Sequence, residues 1–210
     1  MTYIIISILV GYVLCGIPFG FILGKFKGID IRKHGSGNVG ATNALRILGW
    51  KSGLIAMLFD AAKGFVAVRG GQIFCGLEST DPILILFAFS AISGHIFSVF
   101  MKFKGGKGVA VSLGVFIALT PVSVGIAFLS FIIIVAVTKY VSLGSVSAAA
   151  ILFLSELIQN IISGFKTKEY LIFTAIAALF IIIKHKSNIK RLADGNENKI
   201  SFKKTGKKPA

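Results

Sequence analysis

The chain has 210 residues, 55% of them hydrophobic and only 15% charged, with a mean hydropathy of +0.85. Soluble domains hold about 45–50% apolar and about 25% charged residues. An ordinary water-soluble domain is excluded, and the bunching of apolar residues into long runs makes this an all-α polytopic membrane protein. The net charge of +15 comes from 23 basic and 8 acidic residues. Lys and Arg collect on the cytoplasmic side of membrane proteins, which explains the excess without nucleic acid, and no recognition-helix or RNA-module pattern is present.

The N-terminus lacks a basic n-region and does not read as a cleavable signal. Tyr3–Leu23 is the first expected span, interrupted near its end by Gly16-Ile17-Pro18-Phe19-Gly20. Leu48–Val68 is a weaker span because it carries Asp60 and Lys63. These sit three apart on one helix face, either a neutralised structural pair or the mark of a functional path. A polar connection, Gly70–Asp81, leads to a third span over Pro82–Phe100 that contains His95, expected to make a helix–helix hydrogen bond. Val109–Val137 is 29 residues, about 43 Å as a helix, and Pro121 predicts a break within it. Ser142-Leu143-Gly144-Ser145 reads as a turn before a span at Val146–Ile162, and Tyr170–Ile183 is the last. Cys15 and Cys75 read as small apolar fillers. One integral membrane domain is expected over 1–198, followed by a basic, flexible extension at 199–210.

Charge placement sets the parity of the spans. If Val109–Val137 crosses as two short helices there are seven spans, with the N-terminus outside and the C-terminus cytoplasmic. Eighteen basic residues then lie inside, and only Arg69, Lys166 and Lys168 outside. Five spans with two re-entrant segments keep the same parity.

Three polar stretches, together with the Ser142–Ser145 turn, then meet at one face. His34–Arg46 holds three glycines, short hydrogen-bonding side chains at Ser36, Asn38, Thr42 and Asn43, and the guanidinium of Arg46. It is either a connecting loop or a cradle for a heavily oxygenated ligand. Lys104-Gly105-Gly106-Lys107-Gly108 opens a helix, where free N–H groups and the helix dipole favour an anion. Without the G-x-x-x-x-G-K-[ST] spacing it is not a nucleotide P-loop. His185–Glu197 offers an imidazole, an amide, a guanidinium and a carboxylate, or else a juxtamembrane stretch bound to anionic lipid headgroups.

These stretches, S-G-N-V-G-A-T-N at Ser36–Asn43, G-G-K-G-V-A at Gly105–Ala110 and H-x-x-N-I-x-R-L-x-x-G-x-E at His185–Glu197, are similar to the three cytoplasmic motifs of the bacterial PlsY family. That family comprises the acyl-phosphate:glycerol-3-phosphate acyltransferases. The resemblance spans nearly the whole chain; one departure is Ser98, where relatives commonly carry Pro. It implies transfer of a fatty acyl group from acyl phosphate to the 1-hydroxyl of sn-glycerol 3-phosphate in the bacterial inner membrane. The products are lysophosphatidic acid and phosphate, and neither a metal nor another cofactor is needed. The partners expected are the two substrates and membrane lipids.

By this resemblance Ser36, Lys107, His185 and Asn188 are the catalytic candidates. Substrate binding falls to Gly37, Asn38, Gly40, Thr42, Asn43 and Arg46 in the first loop, and to Lys104, Gly105, Gly106 and Gly108 in the second. Ser142, Gly144 and Glu197 complete the set. Direct transfer is expected, with the base either His185 or a phosphate oxygen of the donor. A small organophosphate transporter is the alternative; no internal repeat of the kind such transporters carry is evident.

Overall fold

The computed structural model describes residues 1–200. It is helical throughout, with no strand among the described residues. Helix α1 (Thr2–Gly16) stops at Ile17-Pro18, because proline cannot continue the hydrogen-bond ladder, and resumes as α2 (Phe19–Phe26). The carbonyl of Ile17 freed by this break accepts from Lys63 Nζ at 2.7 Å. Two short polar helical turns follow, a 3₁₀ turn at Ile31–Lys33 and α3 (Ala41–Leu48). Gly49, at φ 91°, turns the chain into α4 (Trp50–Cys75).

Helix α4 runs seven residues beyond the Val68 boundary expected from hydropathy. Gly70 and Gly71 do not end it; Gly71 lets the ring of Phe87 pack against the backbone. The helix ends instead at Gly76 in the left-handed conformation. Helix α5 (Leu84–Ile96) follows, and then α6 (Val109–Leu119) and α7 (Pro121–Thr138), separated at Thr120. Pro121 opens the second of these two as its first residue, which needs no N–H partner.

Helix α8 (Val141–Ser163) begins five residues before the expected span. Ser142–Ser145 is therefore helix and not a turn. The turn lies one step earlier, where Lys139 at φ 63° ends α7 and Tyr140 leads into α8. Helices α9 (Lys168–Lys184) and α10 (Lys186–Ala193) complete the order, bent by 57° at His185.

Four segments are long and apolar enough to cross a membrane: Thr2–Phe26, Leu84–Met101, α7 and α8; the bent pair α9 and α10 makes a fifth. Apolar side chains such as Leu129, Ile133, Ile158 and Ile176 face outward, as they do in a lipid-embedded bundle. The interior is fixed by Phe87, Phe116, Val68 and Val111, all fully buried. Where α4 crosses α6, Gly64 and Gly114 bring backbone against backbone. A Cβ on Gly64 would overlap the Val111 carbonyl, and one on Gly114 the Ala61 carbonyl. Residues 201–210 of the expected basic extension lie outside the described residues; just before them, Ile200 is buried and its N–H donates to Lys139 O at 2.9 Å.

Candidate active site

A cavity of about 170 Å³ opens between α3, α6, α7, α8 and the α9–α10 bend. One end is polar, with Ser36, Asn38, Thr42, Arg46, Lys107, Ser142, His185, Asn188 and Glu197 on its wall. The other is apolar, lined by Phe116, Ala127, Phe131, Ala149 and Leu152.

The first loop is held by Asn43, whose buried amide does the work of several backbone bonds. Its Nδ2 donates to Ile31 O at 2.8 Å and His34 O at 3.1 Å, and its Oδ1 accepts from Ser36 N–H at 3.0 Å. Gly35 and Gly37 take positive φ of 62° and 70°, conformations that strain any residue with a Cβ. Asn38 Oδ1 accepts from Gly40 N–H at 2.8 Å. With its loop fixed, α3 starts at the cavity without a side-chain cap, and Gly40, Ala41 and Thr42 line the wall.

Helix α6 also starts there. Gly108, at φ 88°, has no capping side chain, and Gly108, Val109 and Ala110 face the cavity. The leading N–H groups of a helix have no acceptor within it, and they carry about half a positive charge together. Two helix N-termini therefore point into one cavity.

Gly105 and Gly106 have another task. Their N–H groups donate to Ile96 O at 3.0 Å and His95 O at 3.1 Å, closing the C-terminus of α5. A Cβ on Gly106 would overlap His95 Nε2, and one on Gly105 the His95 carbonyl. These two glycines, with Lys104, Gly37 and Gly144, do not line the cavity. Gly144 instead packs α8 against Val135 and Phe131 of α7.

Glu197 ties the polar wall together. Its carboxylate accepts from Ser142 Oγ at 3.0 Å, Asn188 Nδ2 at 2.8 Å and Arg191 Nε at 2.7 Å, and Arg46 Nη2 stands 3.8 Å away. Burial pulls this carboxyl upward, but the hydrogen bonds from Asn188, Arg191 and Ser142 outweigh it and hold the group ionised. Arg46 Nη2 also donates to Asn198 O at 2.9 Å, while its buried Nε has no partner among the described residues. Lys107 Nζ donates to Asn188 Oδ1. Burial, reinforced by the nearby Arg191, pushes the Lys107 ammonium down to about 8. Asn188 thus links a cation to an anion.

His185 is turned by its backbone. Its Nδ1 lies 2.8 Å from Ile181 O, a contact that requires a proton on Nδ1 and leaves Nε2 as an acceptor. Burial pushes its pKa down to about 4, so the ring is neutral near pH 7.

A buried pair sits at the depth of α4: Asp60 Oδ1 lies 2.6 Å from Lys63 Nζ and 3.7 Å from His95 Nδ1. Asp60 and His95 reach the cavity wall. Sequence reasoning left Asp60 between two readings, gave His95 only a helix–helix hydrogen bond, offered the Arg191 guanidinium without a role, and did not mark Ser112. Ser112 lines the cavity with a buried, unpartnered Oγ. Nothing local in the sequence marks a lone serine inside an apolar helix.

The profile of a family described as "Glycerol-3-phosphate acyltransferase" matches residues 5–195. The chain belongs to this family. A glycerol-3-phosphate acyltransferase from Trichlorobacter lovleyi is 45% identical over 188 residues, covering 90% of this chain and 93% of its own. One from Desulforamulus reducens is 43% identical over 202 residues, covering 95% and 97%. The crystal structure of PlsY (YgiH), an integral membrane glycerol 3-phosphate acyltransferase, superposes in its glycerol 3-phosphate form with a TM-score of 0.85. That match has 34% identity and covers 94% of this chain and 96% of the other. Its lysophosphatidic acid form gives 0.82 at the same identity. This acyltransferase is thus an all-α integral membrane enzyme, and the comparisons lend the transporter reading no support. Among the described residues of the acyltransferase, no group of three or more His, Cys, Asp or Glu side chains is placed to hold a metal ion.

Proposed function

We propose that the cavity transfers a fatty acyl group from acyl phosphate to the 1-hydroxyl of sn-glycerol 3-phosphate, forming lysophosphatidic acid and inorganic phosphate. The observation that carries this reading is the meeting of two uncapped helix N-termini, those of α3 and α6, on a cavity whose far end is apolar. Each N-terminus favours one phosphate, so the cavity suits two phosphates and one hydrocarbon chain. That is the inventory of these two substrates. The forms in which the related enzyme was crystallised, with glycerol 3-phosphate and with lysophosphatidic acid, correspond to the proposed acceptor and product.

In this arrangement the first loop, the start of α3 and Arg46 hold glycerol phosphate, and Lys107 with the start of α6 holds the phosphate of the donor. Ser36 and Asn38 position the reacting groups and stabilise the oxyanion that develops on the acyl carbonyl. The 1-hydroxyl oxygen attacks the carbonyl carbon and forms the new ester bond. The C–O bond to phosphate then breaks, and phosphate leaves with the electron pair and the hydroxyl proton. A neutral imidazole with a pKa near 4 is a poor base at neutral pH. The departing phosphate is a stronger base than this ring, so a donor phosphate oxygen takes the proton as the C–O bond breaks, while His185 Nε2 accepts a hydrogen bond from a substrate hydroxyl. So reactive a donor needs no acyl-enzyme, and holding both substrates together supplies much of the rate.

The proposed setting is the bacterial cytoplasmic membrane, with the cavity mouth facing the cytoplasm. The chain crosses seven times, by α1 with α2 and then by α4, α5, α6, α7, α8 and α9, leaving the N-terminus outside. The support is the charge asymmetry of the connecting segments. Purified protein supplied with palmitoyl phosphate and glycerol 3-phosphate tests the reaction. Equal release of phosphate and lysophosphatidic acid is expected; lysophosphatidic acid formed only from acyl-CoA or an acyl carrier protein would sink the donor assignment.

A further inference from the structure

Past the residues that line the apolar end of the cavity, α7 and α8 are joined by a buried polar cluster. Three helices carry its walls as regular stripes: Gly108, Ser112 and Phe116 on α6, Phe131, Ala127 and Val124 on α7, and Ser145, Ala149 and Leu152 on α8. Four residues after Phe116, four before Ala127 and four after Leu152, one helical turn deeper, stand Thr120, Ser123 and Glu156. None of these three lines the cavity, and all are buried. Ser123 Oγ donates to Glu156 Oε2 at 2.6 Å, joining α7 to α8, and Asn160 Nδ2 donates to Glu156 Oε1 at 3.1 Å. Gln159 Nε2 donates to Ser123 Oγ, so the serine is held from both sides.

From this we infer that Leu152, Val124 and Ala127, backed by the Ser123–Glu156 latch, form a floor, a ruler that sets the longest acyl chain the enzyme uses well. The inference rests on the acyl-phosphate reading above. From Ser142, which bonds the polar hub, to Leu152 is about 15 Å along α8 at 1.5 Å per residue. That is half the ~30 Å of a bilayer's hydrocarbon core. A tail that passes Leu152 must part Ser123 from Glu156 and leave a buried carboxyl short of a partner. The loss exceeds what another buried methylene contributes. Shorter tails leave the floor unfilled and forgo burial. The optimum follows from the depth of the floor.

Two variants move the floor in opposite directions, so a general folding defect cannot imitate both. Ala127→Leu raises it, and Leu152→Ala lowers it. Each is assayed in detergent with decanoyl, hexadecanoyl and octadecanoyl phosphate at saturating glycerol 3-phosphate. In Ala127→Leu the ratio of kcat/KM for hexadecanoyl over decanoyl phosphate falls about tenfold or more, and in Leu152→Ala the octadecanoyl to hexadecanoyl ratio rises about threefold or more. Chain-length ratios that match the wild type in both variants, or that fall in both, overturn the ruler. A wild type that turns over none of the three acyl phosphates overturns the donor reading and the ruler with it, whereas ratios unchanged in both variants of an active wild type overturn the ruler alone.

Discussion

In the proposed arrangement the donor phosphate depends on Lys107. Its ammonium, pushed down to about 8 by burial, stays charged at neutral pH and loses its proton as pH climbs past that value. Without bound substrate the donor site therefore weakens above pH 8, and kcat/KM for acyl phosphate falls along that limb. Arg does not deprotonate in this range, so Lys107→Arg should flatten the limb, and a wild-type profile level to pH 10 would contradict the assignment. Lys107→Ala should cost about 100-fold or more in kcat/KM for the donor while the protein still inserts, in line with the loss of one preorganised donor at a developing charge. His185 gives a second expectation, with the sign reversed from the usual histidine. A ring neutral down to about pH 4 contributes no ionisation near neutrality. His185→Gln should lower kcat yet keep the shape of the profile between pH 5.5 and 7.5. Disappearance of an acid limb in the mutant would make His185 the base.

At the scale of elements, α6 is held at its working depth by glycine. Gly114→Val drives a side chain into the Ala61 carbonyl of α4, at the crossing that aims the start of α6 into the cavity. Overpacking typically costs about 1–3 kcal/mol, and backbone as the obstacle places this substitution at or above the top of that range. Gly125 on α7 has nothing within 4 Å of an added Cβ, so Gly125→Val is the matched control. Thermal unfolding in detergent should show a large drop for the first and little change for the second; equal drops would mean that close approach of α4 and α6 is unimportant. The break between α6 and α7 was readable because Pro121 announces it. The start of α8 was not: Ser142-Leu143-Gly144-Ser145 has turn composition, but helix is imposed by the left-handed Lys139 just before and by Gly144 nesting against Phe131 and Val135. The far end of α4 was hidden for a related reason, since Gly70 and Gly71 look like loop residues until Phe87 is seen to pack there.

Over the whole molecule, the proposed orientation places the first loop, the Gly-Lys loop and α10 on the cytoplasmic side. In a background with Cys15 and Cys75 replaced by Ala, single cysteines near Lys33, Lys104 and Asp194 should react with an impermeant thiol reagent only after the membrane is opened. One near Ser79 should react without opening; the opposite pattern would invert the arrangement. Which segments meet could be read from the chain because polarity and basic charge cluster together. What each residue does once there could not. Gly105 and Gly106 look like an anion nest, yet their N–H groups close α5. Asn43 looks like a ligand contact, yet its amide is spent bracing its own loop. Glu197, one of two acids in a basic stretch, has its importance only through partners 6, 9 and 55 residues away, and no local pattern records those.

That dependence on Glu197 has a consequence for the birth of the enzyme. Arg46, Ser142 and Asn188 are made and inserted in turn, but the carboxylate that gathers them is made after all of them, and the carbonyl that receives Arg46 belongs to Asn198. A nascent chain lodged in the membrane carries its cations without their common anchor. On the proposed mechanism, a chain that has not yet reached Glu197 and Asn198 should not consume acyl phosphate, and catalytic competence should wait for those two residues rather than for the insertion of any helix.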